Sequence, residues 1–487
     1  GLIVDRNGKE LATNITTVSL VVVPGQIDEP EKVAKDLSDI LNSDYKDMLK
    51  HVTKSTSIER VHPEGRRLSY EIAEEINNLG YDGVYLLKES KRYYPYETVL
   101  SHVLGYVGID NQGLSGIELY YDDYLTGADG AIKYFSDGKG NKLELTEIYE
   151  APTSGVTLQL TIDMDLQMAV ENELDNAFAK YNPEQGLIMA MNPKTGEILA
   201  MASRPNFNNN EYQKYSTEVI NRNLPIWMTY EPGSTFKIIT LSAALEEKTI
   251  NLFEDHFTDS GAIAVDGATI HCWKHGGHGT QTMLEVVENS CNPGFVRIGQ
   301  TLGTETLMKY IDSYGFGEKT GIDLNGESSG ILFDVNKMGP VELATTSFGQ
   351  GISVTPLQQI RAVSAAVNGG NLYTPYIVGS FLESETGSLI KKQEPTLVRK
   401  VISEETSSLV RYALESVVAN GSGKNAYIEG YRIGGKTATS QTLPRGSGKY
   451  IASFLGFAPA DDPEIVALAI IHHPKGTYYG GQIAAPV

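Results

Sequence analysis

The sequence has little of what would tie these residues to a disulfide scaffold, a membrane core or a nucleic acid. Only two of its 487 residues are cysteine, Cys272 and Cys291, too few for a chain held together by crosslinks. No window approaches the roughly 18 apolar residues of a membrane span, and no signal-peptide pattern is visible. Positive charge is in deficit: 40 Lys and Arg stand against 61 Asp and Glu, for a net charge of −21. Phosphates would be repelled, so no nucleic-acid partner is expected. There is no internal repeat and no low-complexity tract. What is present is globular in character, with 41% hydrophobic and 21% charged residues and length enough for two or three domains.

Residues 1–25 read as strand, with a turn at Asn7-Gly8 and an apolar end at Val21-Val22-Val23. From Pro30, the spacing of Val33, Leu37, Ile40 and Leu41 predicts an amphipathic helix. A second helix is predicted from Ser69 through Ile72, Ile76 and Leu79 to a stop at Gly80. Ala151-Pro152-Thr153-Ser154-Gly155 reads as a linker, dividing the chain into 1–153 and 154–487. Beyond it, Val156 to Ile162 alternates as a strand, and Gly186 to Ser203 reads as a hairpin around Asn192-Pro193-Lys194-Thr195-Gly196. Two more strands are predicted at Ile451 to Phe457 and Ile465 to Ile471. Strands at both ends with helices between them predict an α+β fold with an antiparallel sheet.

The second part is organised around Glu231-Pro232-Gly233-Ser234-Thr235-Phe236-Lys237, which precedes a run that is apolar nearly all round (Ile238, Ile239, Leu241, Ala243, Ala244, Leu245) and so predicts a buried helix. Ser234 and Lys237, three apart, would share a helix face. A serine at the mouth of a buried helix suits a nucleophile, and a desolvated lysine loses its proton readily enough to act as its base. Alone, S-x-x-K recurs by chance in many chains. Here it is followed by Ser290-Cys291-Asn292 and then by Gly435-Lys436-Thr437-Ala438-Thr439, just before the terminal strand pair. The ordered set S-x-x-K, S-x-N, K-T-G is that of penicillin-binding proteins and β-lactamases.

On these motifs the sequence resembles a class B penicillin-binding protein along nearly its whole length. Gly1-Leu2-Ile3-Val4-Asp5-Arg6-Asn7-Gly8, Arg92-Tyr93-Tyr94-Pro95 and Gly113-Leu114-Ser115-Gly116-Ile117-Glu118 are similar to motifs of the family's N-terminal pedestal. Phe348-Gly349-Gln350-Gly351-Ile352 and Thr355-Pro356-Leu357-Gln358 are similar to stretches of its transpeptidase domain. No glycosyltransferase motif precedes them, which favours class B over the bifunctional class A. The resemblance implies a pedestal (dimerisation-type) domain over 1–153 and, over 154–487, a transpeptidase domain with a five-stranded antiparallel sheet between helices. It implies a D,D-transpeptidase that cross-links peptidoglycan stem peptides ending in D-Ala-D-Ala and is acylated by β-lactams. Ser234 would be nucleophile and Lys237 general base. Ser290 would relay a proton to the leaving D-alanine, and Asn292 would bind the substrate amide. Lys436 and Thr437 would hold the terminal carboxylate, and the backbone N–H groups of Ser234 and Thr439 would form the oxyanion hole. The acyl transfer needs no cofactor. The family also implies a single N-terminal membrane anchor, an extracytoplasmic catalytic domain, a polytopic membrane glycosyltransferase as partner, and service in elongation, division or sporulation.

One position departs from the pattern: Ala438 stands where the motif has glycine. It shares a strand face with Lys436, while Thr437 and Thr439 face the other way. Its methyl is either absorbed or pushes the strand out of register with the oxyanion hole, and Ala438→Gly is expected to speed acylation. A β-lactamase would need a group that activates water. Asp323-Leu324-Asn325-Gly326-Glu327 is the one faintly similar stretch, in the wrong order. A non-catalytic scaffold or sensor is the remaining alternative, resting on Ala438.

Separately from the resemblance, His271, Cys272, His275 and His278 crowd one short stretch, and Cys291 is the middle residue of S-x-N. Two thiolates and two imidazoles suit tetrahedral zinc, with Cys272, His275, His278 and Cys291 the expected ligands. Free buried thiols and a Cys272–Cys291 disulfide are the other readings.

Overall fold

The computed structural model describes residues 1–133, 135 and 148–487. Its second half is organised on a five-stranded antiparallel sheet, in the order Gly434–Gln441, Tyr450–Ala458, Ile465–His472, Gln185–Met191, Ile198–Arg204. The hairpin expected over 186–203 is the last two of these strands, and the terminal strand pair forms two of the others. Gln185–Met191 and Ile198–Arg204 are buried almost continuously, because helices cover both faces: Met164–Tyr181 on one and Pro356–Val367 on the other. Strands buried on both faces read as apolar runs rather than alternations. Helix Lys237–Glu246 lies at the centre, with Lys237 to Leu245 all buried.

The first part carries its own smaller core. Strand Glu10–Val22 pairs with Val84–Tyr93 in unbroken antiparallel register from Thr13↔Tyr93 to Val22↔Val84. Helices Pro30–Leu41 and Tyr70–Asn78 occupy the positions their periodicity predicts, the second capped by the Ser69 hydroxyl. A further helix, Tyr45–Val52, is too short for periodicity to announce and is capped by Asp44. Leu20, Val22, Val33, Leu37, Met48 and Ile76 close this core.

One sheet joins the two parts. Ile3–Val4 pairs in parallel with Thr157–Leu160, which pairs antiparallel with Val378–Leu382. Strands from both sides of the linker at 151–155 thus share a ladder. Buried ion pairs reinforce each side: Arg92 with Glu118 at 2.7 Å, and Arg204 with Glu171 at 2.6 Å.

Between helix Lys237–Glu246 and helix Asn292–Leu302 the chain forms two small ribbons. His256–Asp259 pairs with Gly279–Thr282, and Ala262–Val265 pairs with Ala268–His271. Their strands are four residues long, too short to show as alternation in the sequence.

Candidate active site

Ser234 lies in a single 3₁₀ turn, Gly233–Phe236, that runs into helix Lys237–Glu246. Residues three apart eclipse one another in a 3₁₀ turn, so Ser234 and Lys237 share a face more closely than in an α-helix. Gly233 has φ +56°, and a Cβ there would lie 2.3 Å from Ser440 Oγ. Its carbonyl leaves no room for a side chain at Gly349, where a Cβ would lie 2.2 Å from it, and the Gly233 N–H donates to the Gly349 carbonyl at 3.0 Å. The nucleophile turn is thus wedged between strand Gly434–Gln441 and the Phe348–Ile352 stretch by close backbone approach, which only glycine permits.

Lys237 is fully buried, and its Nζ donates to the Ser290 carbonyl (2.9 Å), Ser290 Oγ (3.2 Å) and Asn292 Oδ1 (2.7 Å). From the opposite wall Lys436 Nζ donates to Ser290 Oγ at 2.8 Å. One hydroxyl therefore sits between two buried amines. Ser290 holds φ +52° to present it there, a left-handed conformation unfavourable for a residue with a Cβ. Burial pushes Lys237 down to about 7, against the opposing pull of Cys291 and Cys272. Burial, and secondarily the charge of Lys237, pushes Lys436 well below the usual lysine range. A neutral amine is therefore available near pH 7 on the turn that carries Ser234.

Strand Gly434–Gln441 is the edge of its sheet, so alternate backbone groups face the cleft instead of a neighbouring strand. Its pairing with Tyr450–Ala458 is unbroken from Gly434↔Phe457 to Gln441↔Tyr450. Ala438 causes no register shift; it is 3% exposed, and its methyl faces Gly233, 3.7 Å from where a Cβ would be built there. On the other face, Thr439 Oγ1 accepts the Gly480 N–H at 2.9 Å, which leaves the backbone of Thr439 as its contribution to the cleft.

Glu231, which sequence reasoning assigned no role, ties three walls together. Its Oε1 accepts the Gly351 N–H at 2.9 Å, and its Oε2 pairs with Arg445 Nη2 at 2.6 Å. Arg445 belongs to the loop leaving strand Gly434–Gln441. By contrast, Asp323 accepts N–H groups of Ile377 and Val378 and the Tyr121 hydroxyl, while Glu327 accepts from Thr320 and Gly321. Both carboxylates stabilise loops, and neither is available to activate water.

The second group of expected site residues also converges, with one substitution. Asp259, Cys272, His278 and Cys291 place one donor atom each within 4.8 Å of one another. Cys291 Sγ lies 3.3 Å, and His278 Nδ1 2.9 Å, from Asp259 Oδ2; Cys272 Sγ lies 3.4 Å from His278 Nδ1. Each donor stands at the end of an element: Asp259 closes its strand, Cys272 follows His271, His278 precedes Gly279, and Cys291 caps helix Asn292–Leu302. His275 is exposed and outside the cluster, as is His271. Gly276 and Gly277, both with positive φ, turn the chain back so that His278, not His275, faces Cys272. The two cysteines are free thiols. Asp259 escaped the sequence reading because strand pairing (Asp259↔Gly279), not chain proximity, brings it there; the Asp259-Ser260-Gly261 turn is the only local sign.

Comparison with known proteins agrees with this geometry. Residues 186–487 match the family model described as penicillin binding protein transpeptidase domain, and residues 1–160 match that of the penicillin-binding protein dimerisation domain. The chain is 56% identical over 492 residues to Stage V sporulation protein D of Bacillus subtilis, covering 100% of this chain and 76% of the relative. It is 30% identical over 497 residues to peptidoglycan D,D-transpeptidase FtsI of Escherichia coli, covering 100% and 81%. Among solved structures, penicillin binding protein 2X from Streptococcus thermophilus superposes with a TM-score of 0.81 at 26% identity, covering 100% of this chain and 78% of that one.

Proposed function

The chain belongs to the class B penicillin-binding proteins, the serine-type peptidoglycan D,D-transpeptidases, and from that premise we propose how its residues divide the reaction. Ser234 Oγ attacks the carbonyl between the two terminal D-alanines of a stem peptide while neutral Lys237 takes its proton. The backbone N–H groups of Ser234 and Thr439 receive the oxyanion. Lys436 and Thr437 hold the terminal carboxylate, and Asn292 orients the substrate amide. Ser290 passes a proton to the nitrogen of the leaving D-alanine. The acyl-serine is then attacked by an amine of a second stem peptide, which restores the Ser234 hydroxyl and forms the cross-link. A β-lactam enters by the same attack and leaves a long-lived acyl-serine. The observation that carries this assignment is the Ser290 hydroxyl held between Lys237 and Lys436, at 3.2 and 2.8 Å, a ready proton path that includes the lysine one turn from Ser234. Release of D-alanine from a pentapeptide donor, coupled to transfer onto an added amine acceptor, tests it.

The chain is further proposed to comprise a pedestal over 1–153 and a transpeptidase domain over 154–487, to belong to a protein held in the cell membrane by a single N-terminal anchor with the catalytic domain extracytoplasmic, and to work with a polytopic membrane glycosyltransferase. The likeness to a stage V sporulation protein supports a role in sporulation.

We also propose that Asp259, Cys272, His278 and Cys291 hold a structural zinc ion. Two thiols, an imidazole and a carboxylate within 4.8 Å suit tetrahedral zinc. The ion would fix Cys291 and so steady Ser290 and Asn292 on either side of it. No step of the acyl transfer passes through it.

A further inference from the structure

Outside the cleft, a second group of metal-ligating side chains converges. Glu184, at the entry to strand Gln185–Met191, meets His472 and His473 at the exit of strand Ile465–His472. One donor atom from each lies within 4.8 Å of the others. Sheet pairing enforces the meeting: the Glu184 N–H donates to the His472 carbonyl at 3.0 Å, and His472 pairs with Gln185. His473 Nδ1 lies 2.7 Å from Glu184 Oε2.

Two features go beyond an ordinary ion pair. Consecutive strand side chains normally point to opposite faces, yet the rings of His472 and His473 stand 3.8 Å apart. The reversal comes from His473, whose φ of +54° is unfavourable for a residue with a Cβ. In addition, His472 Nδ1 is buried with no hydrogen-bond partner among the described residues.

We propose that Glu184, His472 and His473 form a second, exchangeable site for a divalent transition-metal ion, for which Lys449 is the built-in competitor. Two imidazoles and one carboxylate without thiols suit borderline ions such as Ni²⁺ or Zn²⁺. Lys449 Nζ sits 2.8 Å from Glu184 Oε1, so its charge opposes a dication on the same carboxylate, and binding requires the ammonium to move aside. Lys449 ends the loop that also carries Arg445, the partner of Glu231 beside the nucleophile turn, and Thr442 of that loop lies 3.2 Å from His473 Nε2. Occupancy therefore bears on a loop at the rim of the cleft.

The test is titration of Ni²⁺ into untagged, zinc-loaded full chain by calorimetry. The expected result is about one further equivalent, bound in the micromolar range, weakened at least about tenfold in His472→Ala and in Glu184→Gln, and tightened about tenfold in Lys449→Gln. A purely structural Glu184–His473–Lys449 network predicts no such tightening. Anomalous diffraction at the nickel edge from crystals of the unaltered protein locates the ion without relying on any variant. No binding below about 1 mM, unchanged affinity in folded His472→Ala, no gain in Lys449→Gln, or an anomalous peak elsewhere would each overturn the proposal.

Discussion

Cys291 donates its thiol hydrogen to Asp259 Oδ2 across 3.3 Å, joining residues 32 positions apart in the chain. The contact sets the middle residue of the S-x-N motif against the last residue of a small strand, and it makes the zinc proposal specific. Protein never exposed to chelator is expected to carry about one zinc per chain. Cys291→Ser and Asp259→Asn should each weaken zinc binding by about 10–100-fold, while His275→Ala should leave it unchanged. Elemental analysis of untagged protein measures this. Less than about 0.2 zinc per chain would remove the ion.

Glu231 should matter for rate more than for stability. Glu231→Ala removes both the Gly351 and the Arg445 contacts and is expected to slow β-lactam acylation by about 10–100-fold, since a slight misplacement of a nucleophile costs that much. Glu231→Gln keeps a carbonyl for the Gly351 N–H and should retain more activity. Stopped-flow acylation beside thermal melts separates this from a folding defect.

Ala438 is absorbed. Because the ladder of strand Gly434–Gln441 is unbroken, Ala438→Gly should change the acylation rate by less than about threefold and lower stability by about 0.5–1 kcal/mol, the entropic cost of glycine in a strand. The acceleration expected from the sequence would require a distorted strand. Ala438→Val, which drives a methyl at Gly233, should slow acylation at least about tenfold.

His102 should make stability depend on pH. Its Nε2–H donates to the Val219 carbonyl at 2.7 Å, and burial above all lowers it from 6.5 to about 4. In the unfolded chain it binds a proton below about 6.5; in the folded protein it does not until about 4. The unfolded state therefore binds more protons between these values, so stability is full above pH 6.5 and falls as pH drops to 4, by about 3 kcal/mol. Urea melts across pH 4–7 should show a shallower slope in His102→Gln. An equal slope would mean the loss arises elsewhere.

The parts legible in the sequence were those whose physics is local or repetitive. Gly186 to Ser203 announced a hairpin because both strands are buried on both faces and a turn separates them. Ser234, Ser290 and Lys436 announced themselves as an ordered motif set, and the structure brings Lys237, Ser290, Asn292 and Lys436 into one hydrogen-bonded group. What depends on pairing between distant strands was not legible. Asp259 is one aspartate among many until its strand pairs with Gly279–Thr282, and the crowding of His275 and His278 beside Cys272 does not reveal the reversal at Gly276 and Gly277 that leaves His275 outside. Glu231 is similar: its neighbour Pro232 marks a helix start, but Arg445 and Gly351 reach it only through the fold.

The central claim is that Ser234 is the nucleophile, and one measurement meets it directly. The protein is labelled with a penicillin, digested, and the adduct located by mass spectrometry, in parallel with Ser234→Ala. The account predicts one penicilloyl group on the peptide containing Ser234, and no adduct in a Ser234→Ala variant whose thermal melt is close to that of the unaltered protein. An adduct on any other residue, or labelling that survives Ser234→Ala, would contradict it.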